Sequence, residues 1–239
     1  MVRAFKIFWI IFWVILATLV LFLPVTLAAF LGSTGKLSFT FTEVWAWIIL
    51  KAMGCRTKTT GMERIRKKQS YIIIANHQSH FDALAIILTL GIQFRWVVKK
   101  ELLKIPLFGQ ALYASRNIIV DRSNREKTIK SLNEGMDRLP KGVSVMFFAE
   151  GSRSSDGMVK KFKKGGFITA IGKKLPILPV TVNDSMNVLP KGSLVFNPGT
   201  IEVVVGEPVK TKDYNLDRLE ELTEKTRNII ISNQKFLNL

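Results

Sequence analysis

Both histidines of the chain fall in one seven-residue stretch, Asn76-His77-Gln78-Ser79-His80-Phe81-Asp82. Moving an acyl group onto an alcohol requires a base near neutral pH to take the hydroxyl proton as the new bond forms. Imidazole suits that task, and a carboxylate on its other nitrogen fixes the tautomer and stabilises the imidazolium. His77 and Asp82 have the right types for such a pair. Five residues on a continuous helix would set them about 140° apart, on different faces. The pair therefore works only if His77 lies in a turn and Asp82 in the first turn of the helix that follows. Other readings share these residues. His77, His80 and Asp82 could ligate a metal, although the chain has no third histidine and its one cysteine is remote, which argues against a metal site. Ser79 could be a nucleophile, but it lacks the Gly-x-Ser-x-Gly elbow. The stretch could also be an ordinary helix start.

The surrounding pattern supplies a strand-turn-helix. Tyr71–Ile74 is a short β-rich run, and Ala83–Leu90 is helical. Further strands are expected at Phe94–Val98, Asn117–Val120, Val143–Phe148 and Ile177–Val182, with Leu194–Phe196 and Thr200–Val205 as edge strands. Helices are expected at Lys100–Ala114 (broken by Pro106 and Gly109), from an N-cap at Ser123 to about Leu139, near Phe167–Gly172, and from about Asn215 to Asn233. Short apolar strands alternating with helices predict an α/β fold, a central, largely parallel sheet flanked by helices. Function in such sheets gathers beyond the carboxyl ends of strands.

Ahead of this body lies an apolar head. The 239 residues carry a formal charge of +17, yet 48% are hydrophobic. Before Lys51 the only charged side chains are Arg3, Lys6, Lys36 and Glu43, so nearly all the basic excess belongs to the body. Ile7 to Leu31 is uncharged, longer than the roughly 20 residues that cross a bilayer and longer than the h-region of a signal peptide. Pro24 should kink or end this helix. Gly32-Ser33-Thr34-Gly35 reads as a turn, and a second apolar helix should run from about Phe39 to Met53, only about 22 Å long. These features predict a membrane-anchoring hairpin over residues 1–54, dipping into one leaflet, and a catalytic α/β domain over 55–239. Basic residues at both ends place the body at the cytoplasmic face of the cell membrane. Cys55 has no intrachain partner and reads as a small buried hydrophobe. A nucleic-acid partner would also answer the charge, but neither a recognition helix nor a strand face of interleaved aromatic and basic residues is visible.

Four blocks in order resemble the glycerolipid acyltransferase family, and most closely its bacterial 1-acyl-sn-glycerol-3-phosphate acyltransferases. Asn76 to Asp82 resembles the first block, His-x4-Asp. Arg116-Asn117-Ile118-Ile119-Val120-Asp121-Arg122 resembles the second. Phe147-Phe148-Ala149-Glu150-Gly151-Ser152-Arg153-Ser154 is similar to the third, with Ala149 and Ser152 in place of the usual proline and threonine. Leu178-Pro179-Val180 resembles the fourth. The resemblance covers roughly Tyr71 to Val205.

It implies transfer of a fatty acyl group from acyl-CoA or acyl-carrier protein to the sn-2 hydroxyl of lysophosphatidic acid, giving phosphatidic acid. A different lysophospholipid acceptor is the alternative. It also implies direct attack with His77 as general base, no acyl-enzyme and no cofactor or metal, with oxyanion donors near the fourth block. Arg153 can hold the acceptor phosphate bidentately. Gly151 permits close approach, Glu150 positions Arg153 or binds a glycerol hydroxyl, and Arg122 and Lys100 are further phosphate contacts. Lys160, Lys161, Lys163 and Lys164 around Phe162 form a basic loop suited to a headgroup or donor phosphate.

Overall fold

The computed structural model describes residues 1–31, 34–121 and 123–235. Seven strands form one sheet among them: β1 (Cys55–Thr60), β2 (Ile72–Ala75), β3 (Phe94–Lys99), β4 (Ile118–Val120), β5 (Ser144–Phe148), β6 (Ile177–Asn183) and β7 (Gly199–Val205). Their order is β1-β7-β6-β2-β5-β3-β4. Every neighbouring pair is parallel except β6 with β7. The expected α/β architecture is present.

Among the described residues eight α-helices accompany the sheet: α1 (Val2–Ala28), α2 (Lys36–Ala52), α3 (Phe81–Thr89), α4 (Phe108–Ala114), α5 (Arg125–Asp137), α6 (Gly165–Gly172), α7 (Ser185–Val188) and α8 (Leu219–Ser232). Strand β2 shows why both faces of the sheet are covered. Its side chains alternate with period two. Ile73 and Ala75 join one apolar cluster with residues of α1, α2 and α3. Ile72 and Ile74 join a second cluster with Phe167 of α6 and Leu222 and Ile230 of α8.

Several local expectations are revised. Leu194–Phe196 is not a strand, and β7 is not an edge, because β1 pairs outside it. The polar sequence Cys-Arg-Thr-Lys-Thr-Thr of β1 carried little β signal, and its alternating burial suits an edge strand. Asn124, not Ser123, caps α5, its side chain accepting from Lys127 N–H. Helix α1 runs through Pro24 to Ala28. The proline removes one backbone donor, but packing against α2 holds both sides of it.

The hairpin is also not a body of its own. Ile10, Ala17, Phe39, Ala46 and Ile49 share one core with Ile73, Phe81 and Phe94, so no hydrophobic boundary falls at residue 54. Helix α1 is pinned along its length. Lys6 Nζ donates to Asn197 Oδ1 at 3.1 Å, Trp9 Nε1 to the Ala52 carbonyl at 2.8 Å, and Trp45 Nε1 to Thr18 Oγ1 at 3.1 Å. Its other face bears Phe5, Phe8, Phe12, Ile15, Leu19 and Leu23, all exposed. Among the described residues α1 alone is long and apolar enough to cross a membrane.

Candidate active site

Sheet register brings the first and third sequence blocks together. Ala75 of β2 pairs with Phe148 of β5. The residues two further on, His77 and Glu150, therefore leave the sheet as neighbours. The Glu150 carboxylate fixes that junction: Oε1 accepts the His77 N–H at 2.7 Å and Oε2 the Lys160 N–H at 3.1 Å. The Ser154 N–H donates to the His77 carbonyl at 2.7 Å. Both backbone groups of His77 are thus held by the loop after β5. Glu150 is buried, and desolvation pushes its carboxyl above the ordinary value, partly offset by those two N–H bonds. Its side-chain hydrogen bonds are with the N–H groups of His77 and Lys160, and none is with Arg153.

The imidazole is fixed as tightly as its backbone. His77 Nδ1 lies 2.7 Å from Asp82 Oδ2. His77 is in the turn and Asp82 in the first turn of α3, the only arrangement their spacing allowed. The same Oδ2 accepts the N–H groups of Gln78 (2.6 Å) and Ser79 (2.9 Å), while Oδ1 has no partner. Asp82 is fully buried at a helix N-terminus, where the macrodipole favours a negative charge. The His77 ring stacks on Phe148 with centroids 3.8 Å apart, and Trp96 backs Phe148 at 5.5 Å. With Nδ1 occupied, Nε2 remains for substrate, and the side chain is 18% exposed.

Ser79 is committed elsewhere. Its buried hydroxyl donates to the Leu189 carbonyl and accepts from the Phe81 N–H, so it is no nucleophile here. Asn76 joins strand ends by bonding both backbone groups of Val182. Within the fourth block Pro179 has no N–H, and Leu178 and Val180 lie in parallel register with Ile73 and Ala75 of β2. Among the described residues no three metal-ligating side chains converge.

The cations divide. Arg153 makes no side-chain hydrogen bond or ion pair with any described residue. It lies close enough to His80 that, after burial, its charge is the next largest influence holding that imidazole below its ordinary value. Gly151 has φ +71, and an added Cβ would sit 2.5 Å from Lys163 Cε, so the missing side chain lets Lys163 lie over the turn. Lys100 instead faces Asp121 at 3.6 Å and is two-thirds exposed. Arg122 lies outside the described residues. What the sequence reading missed is Arg227 of α8, which donates to the carbonyls of Lys160 (3.1 Å) and Val159 (2.9 Å) and so holds the basic loop in place. No motif marks it.

Beside this junction opens an apolar cavity of about 690 Å³. It runs between the hairpin and the body, from His80 and Phe148 past Trp96, Phe108 and Val14 to Phe39.

Residues 56–183 match the family model described as Acyltransferase, more than half of the chain. The chain belongs to the acyltransferase family. Among relatives of this acyltransferase, the 1-acyl-sn-glycerol-3-phosphate acyltransferase of Saccharomyces cerevisiae is 33% identical over 191 residues, covering 78% of this chain and 63% of that protein. The chain thus spans somewhat under two thirds of the yeast relative's length. The Pseudomonas aeruginosa protein of the same name is 32% identical over 180 residues, covering 75% of this chain and 69% of the relative. The crystal structure of the 1-acyl-sn-glycerophosphate acyltransferase of Thermotoga maritima superposes with a TM-score of 0.77 at 23% identity, covering 98% of this chain and all of the other. That likeness establishes the shared fold of this acyltransferase.

Proposed function

We propose that this acyltransferase moves a fatty acyl group from a thioester, acyl-CoA or acyl-carrier protein, to the sn-2 hydroxyl of lysophosphatidic acid. The observation that carries the proposal is the His77–Asp82 pair, set between an apolar cavity and the unpaired Arg153 guanidinium. His77 Nε2 takes the hydroxyl proton while Asp82 stabilises the imidazolium. The freed oxygen attacks the thioester carbonyl, the C–S bond breaks, and the thiolate takes its proton from the imidazolium. The cavity holds the donor's acyl chain; Arg153 and Lys163 hold the acceptor's phosphate. The relatives' names support that substrate.

The enzyme works at a lipid surface, on the cytoplasmic face of the membrane. Helix α1 is tied to the body by the Lys6–Asn197 bond near its start and by the core that it shares with α3 and the sheet, so turning it across a bilayer would drag polar body surface into hydrocarbon. Lying flat, it sinks its exposed Phe and Leu side chains into one leaflet. An acyl-transfer assay across several lysolipids, with both donor types, tests the proposal. Lysophosphatidic acid should be the preferred acceptor, and Arg153→Ala should raise KM for it with little change in kcat. His77→Ala should abolish transfer while membrane association persists. Activity retained by His77→Ala, or indifference of Arg153→Ala to the acceptor's phosphate, overturns the corresponding assignment.

A further inference from the structure

At the end of the sheet away from His77, beside the start of α2, the chain gathers positive charge that acyl transfer does not use. A pocket of about 310 Å³ is lined by Thr34, Lys67, Lys68, Gln93, Lys141 and Gly142, with no acidic side chain in its wall. None of these three lysines makes an ion pair or hydrogen bond with a described residue. Next to the pocket, in the wall of the apolar cavity, is Arg95, only 1% exposed. Its guanidinium donates to the Thr34 carbonyl (2.7 Å), the Gln93 side chain (3.2 Å) and the Phe94 carbonyl (2.9 Å), while Nε has no partner. Two of those acceptors belong to residues that line the pocket. Burial lowers Arg95 only to about 10, so it remains a cation at neutral pH without a carboxylate. The N-terminus of α2, with no side-chain cap, adds the positive end of a 17-residue helix. A buried cation without a counter-charge is costly, and an arriving anion would relieve it.

The surroundings identify the anion. Phe30 and Leu31, at the end of α1, are 84% and 76% exposed, among the most exposed apolar side chains of the molecule. They lie three to four residues before Thr34 of the pocket wall, so the chain's own reach keeps them within about 11–14 Å of it. Cations at the edge of a lipid-facing apolar surface match an anionic headgroup above its tails. We propose that this pocket binds the phosphate of an anionic membrane phospholipid, with the lipid's acyl chains against Phe30 and Leu31. The inference rests on the membrane reading given above.

Vesicle flotation of the full chain tests it, comparing phosphatidylcholine vesicles with vesicles that also contain phosphatidylglycerol. Wild type should bind both, and the anionic vesicles more tightly. The triple variant K67A/K68A/K141A should lose about fivefold per lysine, roughly a hundredfold in all, on anionic vesicles only. K210A/K212A/K225A, which removes the same charge near α8 on the other side of the sheet, should lose no more than a few fold. Acyl transfer in detergent micelles should be unchanged in both variants, since neither touches the site. Equal losses in the two triple variants would mean diffuse attraction and overturn the pocket. So would lysine-dependent binding of inorganic phosphate that brings no vesicle preference. Wild type that floats with neither vesicle would instead overturn the membrane reading itself.

Discussion

Asp82→Asn separates the charge of the carboxylate from its geometry. Three donors converge on Oδ2, from His77 Nδ1, Gln78 N–H and Ser79 N–H, and none reaches Oδ1. An asparagine can therefore place its amide oxygen at the Oδ2 position and keep all three bonds. Its NH₂ then occupies the empty Oδ1 position, unpaired and buried, at a cost of about 1–3 kcal/mol. The flipped amide would face three donors with a fourth, so it is excluded. His77 keeps its tautomer, and catalysis loses only the negative charge beside the imidazolium. At a charge separation of about 4 Å and an effective dielectric near 20, that charge is worth at most about 4 kcal/mol. The kcat should fall by roughly 10²–10³, short of the ~10⁴ that a wrong tautomer costs. Initial rates at saturating donor and acceptor measure this, with thermal melting as a control. Melting should drop by about 2–4 °C for each kcal/mol of burial cost. A fall of less than tenfold would show that the charge does not assist the base. A fall of 10⁴ or more would show that the tautomer had been lost and that the reasoning from the empty Oδ1 is wrong.

Other consequences follow from the same junction. Glu150→Gln replaces one acceptor by a donor, facing the N–H of His77 or Lys160, and should lower kcat about 10–100-fold through displacement of His77; unchanged rates would remove Glu150 from the positioning chain. Because burial raises the Glu150 carboxyl in the folded protein, the native state binds its proton more strongly than the unfolded chain. Wild type should therefore lose stability relative to Glu150→Gln as pH rises through the interval just above the ordinary glutamate value, measured by denaturant titration at several pH values. Ser79→Ala should keep acyl transfer within a few fold, without a burst of acyl-enzyme in wild type, and lose about 1–2 kcal/mol of stability. Cys55 is buried, and desolvation pushes its thiol to about 11. Thiol reagents at neutral pH should leave the native protein unmodified and fully active, and label it only on unfolding.

What could be read in the sequence was whatever is encoded locally. The five-residue step from His77 to Asp82 demanded a turn followed by a helix start, and that is where the two residues lie. The apolar runs at β2, β5 and β6 announced buried parallel strands. The bond from His77 N–H to Glu150 was not legible, because it depends on β2–β5 register, which no local pattern reports. Strand β1 was missed for a related reason. Its alternating polar sequence becomes a strand only because β7 lies beside it. Arg227, dozens of residues from the loop it holds, left no trace in spacing.

The hairpin is the least local feature of all, and it changes what the enzyme's parts mean. A separable anchor could be exchanged for any other apolar helix. Here Phe39 packs on Phe94, with ring centroids 5.1 Å apart, and α1 supplies one wall of the cavity whose other walls come from α3, β3 and α4. The acyl-chain site proposed above therefore exists only when the hairpin is docked. The same docking leaves α1 with its exposed apolar face turned outward. Membrane seating and assembly of the cavity are then two sides of one packing event. Substitutions that weaken the inner face of α1, such as Ala17→Asp, should abolish acyl transfer together with correct lipid seating. Substitutions on the outer face, such as Leu19→Ser, should weaken lipid binding and leave transfer in detergent intact. The distinction follows from which face of one helix is touched, and a swap of those outcomes would place the cavity elsewhere.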